Sequence, residues 1–145
     1  CISTWHIFSN SDRKLINPKN MNLSGLDKAE ENQSFYENWN IDILKEYETQ
    51  TGQNMFSHKV MFTELDHNGH LNNTHYSDIA LNSLPEHHKN EFLSQMKIIF
   101  LSECKLNDII NTIFFKDSDI DVIRGEKNEH PVFIAMFKYG EKNGK

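Results

Sequence analysis

Apolar residues recur at two different periods in this chain, and the switches between them mark its elements. From Met55 to Leu65 the residues follow strand spacing, and the stretch includes the apolar run Val60-Met61-Phe62. Beyond Asn72 the period lengthens, so that Tyr76, Ile79, Ala80 and Ser83 fall on one helical face. Asn72 or Asn73 can cap that helix, because a short polar side chain accepts a free N–H at its start. Leu84-Pro85 ends it, since proline disfavours helical backbone in the residue before it. His87-His88-Lys89-Asn90 is a polar connection. Strand spacing then returns in three or four runs: Ser94 to Cys104, Asp108 to Lys116, Asp119 to Gly125 and Pro131 to Tyr139. Asn107-Asp108 and Glu126-Lys127-Asn128-Glu129 are turns between them. Strand, helix and a run of strands predict an α+β fold, with one long helix across a mostly antiparallel sheet.

The earlier part of the chain is less regular. Ile2 to Phe8 suits a short strand through Thr4, Trp5, Ile7 and Phe8. Ser9-Asn10-Ser11-Asp12 has turn chemistry. Pro18 to Gln33 is polar and interrupted by Gly25, as a linker is. Phe35, Trp39 and Ile43 are spaced for one helical face, or for the aromatic anchors of a loop. Thr51-Gly52-Gln53-Asn54 breaks the chain again.

Composition narrows the picture. The 145 residues make one modest domain. A content of 37% hydrophobic and 25% charged residues favours a globular domain over a disordered chain. The net charge of -6 leaves no broad basic footprint for nucleic acid, and the pair Arg13-Lys14 reads as a solvated turn. Cys1 and Cys104 are too few and too far apart for a disulfide framework or a zinc site, so a reducing compartment is expected. No apolar run reaches the roughly 18–20 residues of a membrane helix. No signal segment is recognised, so the expected location is cytoplasmic. Because the first residue is Cys1 rather than Met, further residues are expected before it.

Chemistry concentrates in Asp66-His67-Asn68-Gly69-His70-Leu71-Asn72-Asn73. In extended chain Asp66, Asn68 and His70 would share one side. The N–H groups opening the helix, around Gly69 to Asn73, would point to the same place. An acid, an amide, an imidazole and a positive helix end suit acyl transfer. Metal chemistry fits badly. A calcium loop would need its glycine two places later and a glutamate where Ser77 stands. His67, His70 and His75 lack the spacing of a metalloprotease helix. No metal or cofactor is expected.

The stretch Thr63 to Tyr76 resembles the signature of acyl-acyl carrier protein thioesterases, Asp-x-Asn-x-His-x-Asn-Asn followed by a tyrosine. Phe100-Leu101-Ser102-Glu103-Cys104 is similar to that family's second active-site strand. The resemblance implies a hotdog fold, and in particular the second half of a double hotdog. It places residues 1–16 as the closing strand of a first hotdog domain, with Ser3-Thr4-Trp5 in it, 17–54 as the linker and 55–145 as the C-terminal hotdog domain. It implies release of a fatty acid from acyl carrier protein, with that carrier as partner. The alternatives are an acyl-coenzyme A thioesterase, or a non-catalytic acyl-binding or pairing module. An apolar edge left by an absent first domain could pair with a second copy.

Under this resemblance Asp66 orients its neighbours, Asn68 holds the thioester or the attacking water, and His70 moves a proton. Glu103 acts as general base, alone or with His70. The run Met96 to Leu101 is apolar around Lys97, so Glu103 at its end is expected to be partly buried. Neighbouring strand residues face opposite ways, so Glu103 is preferred and Cys104 is read as a packed thiol. Asn72, Asn73 and Tyr76 complete the motif as accessory residues.

Overall fold

The computed structural model describes residues 7–8, 15–16 and 46–140. The chain divides into two compact units, Cys1–Trp39 and Asn40–Lys145. In the first unit, β1 (Ile7–Phe8) pairs antiparallel with β2 (Leu15–Ile16), Ile7 opposite Ile16. The rest of the expected opening strand, the Pro18 to Gln33 linker and the Phe35, Trp39, Ile43 spacing lie outside the described residues.

The second unit holds β3 (Gln53–Lys59), α1 (Asn73–Asn82), β4 (Phe92–Phe100), β5 (Ile109–Asp117), β6 (Ile120–Lys127) and β7 (His130–Gly140). The five strands form one sheet in the order β3-β5-β6-β7-β4, with every neighbouring pair antiparallel. Helix α1 packs across β6 and β7. This is the expected α+β, hotdog arrangement.

The helix forms as its pattern requires. Asn72 caps it, accepting the Thr74 N–H at 3.1 Å. Tyr76, Ile79 and Ala80 are buried on its inner face, and Ser83 and Leu84 are buried just past its end. Ser83 turns its hydroxyl back onto the Ile79 carbonyl at 2.7 Å. Across from this face lie Ile110, Ile123, Phe133, Ala135 and Phe137. Burying such side chains contributes about 2 kcal/mol each. Gly125 is required by close approach: a methyl there would lie 2.1 Å from the Phe133 ring.

Three expectations need correction. The helix is 10 residues, shorter than the long helix expected. The strand expected from Met55 to Leu65 runs from Gln53 to Lys59, and a 3-10 turn follows at Phe62–Glu64. The Glu64 carboxylate causes that turn by taking the Met61 N–H at 2.8 Å. The strand expected to reach Cys104 leaves the sheet after Phe100, where the Val132 carbonyl takes the N–H groups of both Leu101 and Ser102. β3 starts at Gln53, and Tyr47 is buried with its ring 5.4 Å from that of Phe115.

The connection at Glu86–Asn90 is a 3-10 turn fastened to the sheet by His88. His88 Nε2 lies 3.3 Å from Oδ2 of Asp121, a fully buried carboxylate on β6. The Asp121 carboxylate also accepts from Lys116 Nζ at 2.8 Å and from the Tyr139 hydroxyl at 2.9 Å. A buried charge needs such partners, because an unpaired one is costly.

Candidate active site

The loop between the 3-10 turn and α1 is a closed miniature hairpin. The Asn72 N–H donates to the Glu64 carbonyl at 2.9 Å, Leu65 bridges Leu71, and the Asp66 N–H donates to the His70 carbonyl at 2.8 Å. Gly69 closes the turn with φ +76, a left-handed conformation that side chains resist. Asp66 sits at the centre. Its Oδ1 accepts the Asn68 N–H at 2.8 Å and the His70 N–H at 3.0 Å. The His70 N–H first, and the Asn68 N–H with it, hold the Asp66 carboxyl below its ordinary range. The segment is therefore folded back rather than extended, and Asp66 spends its carboxylate on the loop itself.

The loop is braced at its start. Glu64 Oε2 lies 2.9 Å from His58 Nε2 on β3. Burial opposes ionisation of Glu64, but the Met61 N–H and the His58 ring outweigh it and hold its carboxyl below the usual range.

The second segment, Leu101 to Asp108, lies against this loop. Leu71 N–H donates to the Cys104 carbonyl at 2.8 Å, and His70 bridges Lys105. His70 Nε2 thereby comes within 3.3 Å of Glu103 Oε2. The His70 side chain is 22% exposed and that of Glu103 is 55% exposed. Glu103 is thus open to solvent and not partly buried as expected. It stands in a loop beyond the strand end, where no sheet covers it.

Cys104 is fully buried. Burial pushes its thiol above the ordinary range, against the opposing pull of the Tyr76 hydroxyl and Lys127. A thiol so placed is a poor nucleophile. Tyr76 is buried edge-on to Phe100 and Phe133, and its hydroxyl accepts the Cys104 N–H at 3.1 Å. The Asn68 side chain is exposed and makes no hydrogen bond to the described residues. Asn72 and Asn73 are exposed at the helix start.

The expected ring of free N–H donors is mostly committed. Gly69 donates to the Asp66 carbonyl, His70 to the Asp66 carboxylate, Leu71 to Cys104 and Asn72 to Glu64. The Asn73 N–H, first in the helix, has no acceptor among the described residues.

A family model described as the acyl-ACP thioesterase C-terminal domain matches residues 46–135, more than half of the chain. The chain belongs to this family. The match spans β3, the loop, α1 and most of the remaining sheet. No curated protein matches by sequence. Among solved structures, an acyl-ACP thioesterase from Bacteroides thetaiotaomicron is similar at 17% identity and TM-score 0.58, over 63% of this chain and 39% of that one. A 12:0-ACP thioesterase from Umbellularia californica is similar at 16% identity and TM-score 0.53, over 62% of this chain and 35% of that one. A Thermus thermophilus thioesterase complexed with coenzyme A and Zn is similar at 13% identity and TM-score 0.55, over 63% of this chain and 80% of that one. At these identities the likeness is one of fold. This chain spans less than half the length of the two acyl-ACP thioesterases.

In this thioesterase-family domain, sequence reasoning missed two groups near the site. One is the His58–Glu64 brace. The other is Lys127 with Asp108: Lys127 Nζ donates to Asp108 Oδ2 at 2.9 Å and to the Glu103 carbonyl at 3.0 Å. Burial opposes ionisation of Asp108, but the Lys105 N–H and Lys127 outweigh it and keep its carboxyl low. No local signal marks Lys127, which reads as a turn residue. Among the described residues no cluster of His, Cys, Asp and Glu could hold a metal. None of the described helices is long and apolar enough to cross a membrane.

Proposed function

We propose that this domain forms the catalytic half of a thioesterase that hydrolyses acyl-acyl carrier protein and releases a fatty acid. The observation that carries this reading is the 3.3 Å approach of His70 to Glu103, from separate loops, within an acyl-ACP thioesterase family domain. Water attacks the thioester carbonyl carbon. Its proton passes to the Glu103–His70 pair. The carbon–sulfur bond breaks, and the carrier thiol leaves with a proton returned from that pair. Asn68 holds the carbonyl oxygen or the water by its open amide, and the Asn73 N–H faces the developing charge. One such donor stabilises the transition state by about 3 kcal/mol. Asp66 acts indirectly, by setting the loop that carries Asn68 and His70.

In this reading residues 1–16 close a preceding hotdog domain, and 17–54 link it to the domain described here. Work in the cytoplasm on a soluble carrier fits the family. The test is hydrolysis of acyl-carrier and acyl-coenzyme A substrates by the full-length protein, with Asn68, His70 and Glu103 replaced singly. Loss of carrier-dependent turnover in each variant is the expected result. Undiminished turnover in all three refutes the proposal.

A second reading, acyl-coenzyme A hydrolysis, is favoured by the similar fold of the Thermus protein bound to coenzyme A. Faster turnover of the coenzyme A ester in the same assay would select it. Tight acyl binding with no turnover of either ester would select a binding or pairing module, and native mass would show pairing with a second copy.

A further inference from the structure

We propose that Lys127 is a positioning residue for Glu103, acting jointly with Tyr76 by clamping one peptide plane. This inference rests on the reading of Glu103 and His70 given above.

The peptide between Glu103 and Cys104 is held at both of its polar ends. Its carbonyl oxygen accepts from Lys127 Nζ at 3.0 Å. Its N–H, that of Cys104, donates to the Tyr76 hydroxyl at 3.1 Å. A peptide unit is rigid and flat, so fixing its oxygen and its nitrogen fixes the whole plane. The Cα of Glu103 is part of that plane, so the point from which its side chain starts is set. The next carbonyl, that of Cys104, takes the Leu71 N–H at 2.8 Å, one residue from His70. That last bond ties the segment carrying Glu103 to the loop carrying His70, and the first two hold the same segment to β6 and α1.

The two hands of the clamp come from different elements and differ in chemistry. Tyr76 reaches from α1, wedged between Phe100 and Phe133. Burial, with its contacts to Cys104, keeps its phenol above the ordinary range, so it stays a neutral hydroxyl. Lys127 reaches from the end of β6, and Asp108 holds its ammonium in place at 2.9 Å. Asp108 also fixes the far side of the same loop, accepting the Lys105 N–H at 2.7 Å. The Glu103 side chain is 55% exposed and meets His70 Nε2 at 3.3 Å. Lys127 and Tyr76 hold the backbone from which it reaches His70. A small misplacement of a reacting group is costly in rate, which gives the clamp its effect.

The test uses the full-length protein. Lys127→Met should lower kcat about tenfold with KM within about twofold. Lys127→Arg, which keeps a donor and a charge, should recover most of that loss. Tyr76→Phe keeps the ring and removes only the hydroxyl, so it serves if Lys127→Met folds poorly, and it should lower kcat similarly. In a Glu103→Gln background, Lys127→Met should cost nothing further. The ring NMR signals of His70 should move on Lys127→Met in the Glu103 protein and stay still in the Glu103→Gln protein, which reads the clamp even without turnover. Unchanged kcat and unchanged His70 signals in both Lys127→Met and Tyr76→Phe overturn the inference. So does a loss repeated in full in the Glu103→Gln background, since Lys127 would then act otherwise than through Glu103. If Glu103→Gln and His70→Ala are themselves fully active, the hydrolytic reading fails instead, and the NMR result alone then judges the clamp.

Discussion

His70 Nε2 lies 3.3 Å from Glu103 Oε2, and His88 Nε2 lies 3.3 Å from Asp121 Oδ2. Distance does not separate these two pairs; their surroundings do. Asp121 is fully buried on β6, and Lys116, Tyr139 and His88 satisfy it. The His88 ring is stacked on Tyr139 at 4.9 Å and has little room to move. Glu103 stands in an exposed loop, its side chain 55% exposed. A buried carboxylate held by three partners is a brace, whereas one facing solvent beside an imidazole can accept a proton and release it. The same distinction divides Asp66 from Glu103: Asp66 gives its Oδ1 to the Asn68 and His70 N–H groups and so shapes the loop.

The comparison breaks most sharply in turnover. His70→Ala or Glu103→Gln should lower carrier-dependent hydrolysis by about 10²- to 10⁴-fold. Either should change unfolding free energy by no more than about 1 kcal/mol, as befits an exposed pair. His88→Ala should show the reverse pattern in the same two assays, with near-normal turnover and a lowered melting point. If His88→Ala abolishes turnover while leaving stability intact, the two pairs have been assigned the wrong way round.

Stability provides the next contrast. Asp121→Ala strips a buried centre from Lys116, Tyr139 and His88, and should cost about 3 kcal/mol in urea unfolding. A loss below about 1 kcal/mol would show that the cluster does not brace the sheet. Two glycines extend the contrast from charge to backbone. Gly125→Ala forces a methyl into the Phe133 ring and should cost about 2 kcal/mol. Gly69→Ala meets no atom within 4 Å but must hold a left-handed φ, and should cost about 1 kcal/mol and slow turnover. Equal stability losses at the two positions would count against a sheet that is packed and a loop that is open.

Acid should act on the loop in a small and local way. The Asp66 carboxyl is held low in the folded loop, so the folded form binds fewer protons than the unfolded form. Its contribution is in full force above the ordinary aspartate range, near 4, and is lost as the pH falls through the lowered folded value. Asp108 and Glu64 carry the same sign. Amide exchange at Asn68 and His70, corrected for intrinsic rate, should therefore accelerate as the pH falls from about 5 toward 3. Protection that persists unchanged to pH 3 would show that Asp66 does not organise the loop.

Much of this architecture was readable before any coordinates. The helix face of Tyr76, Ile79, Ala80 and Ser83 and a cap at Asn72 or Asn73 are local signals that the structure bears out, with Asn72 as the cap, while the helix ends at Asn82, just before the expected stop at Leu84-Pro85. The sheet strands agree in number and order, with ends displaced where a carbonyl or carboxylate intervenes: Val132 draws off Leu101 and Ser102, and Glu64 curls the chain at Met61. The exposed state of Glu103 and the commitment of the Gly69 to Asn72 N–H groups were not readable. Both depend on partners supplied by other parts of the chain or by a turn that alternation rules do not describe.

By itself the sequence determined the α+β layout, the family to which the domain belongs, and the residue types in the Asp66 to Asn73 loop. Those properties rest on periodicity, caps and motif spacing, all expressed within a few residues of one another. Only the tertiary structure decided which carboxylate meets His70 in the open, which one is locked beneath His88, and that Lys127 reaches the Glu103 carbonyl. These contacts join residues far apart along the chain, and the pairing of β4 with β7 and of β7 with β6 brings Lys127 to the Glu103 carbonyl. Burial and hydrogen bonding at such meetings, rather than residue type, divide the bracing groups from the solvent-facing ones proposed to react.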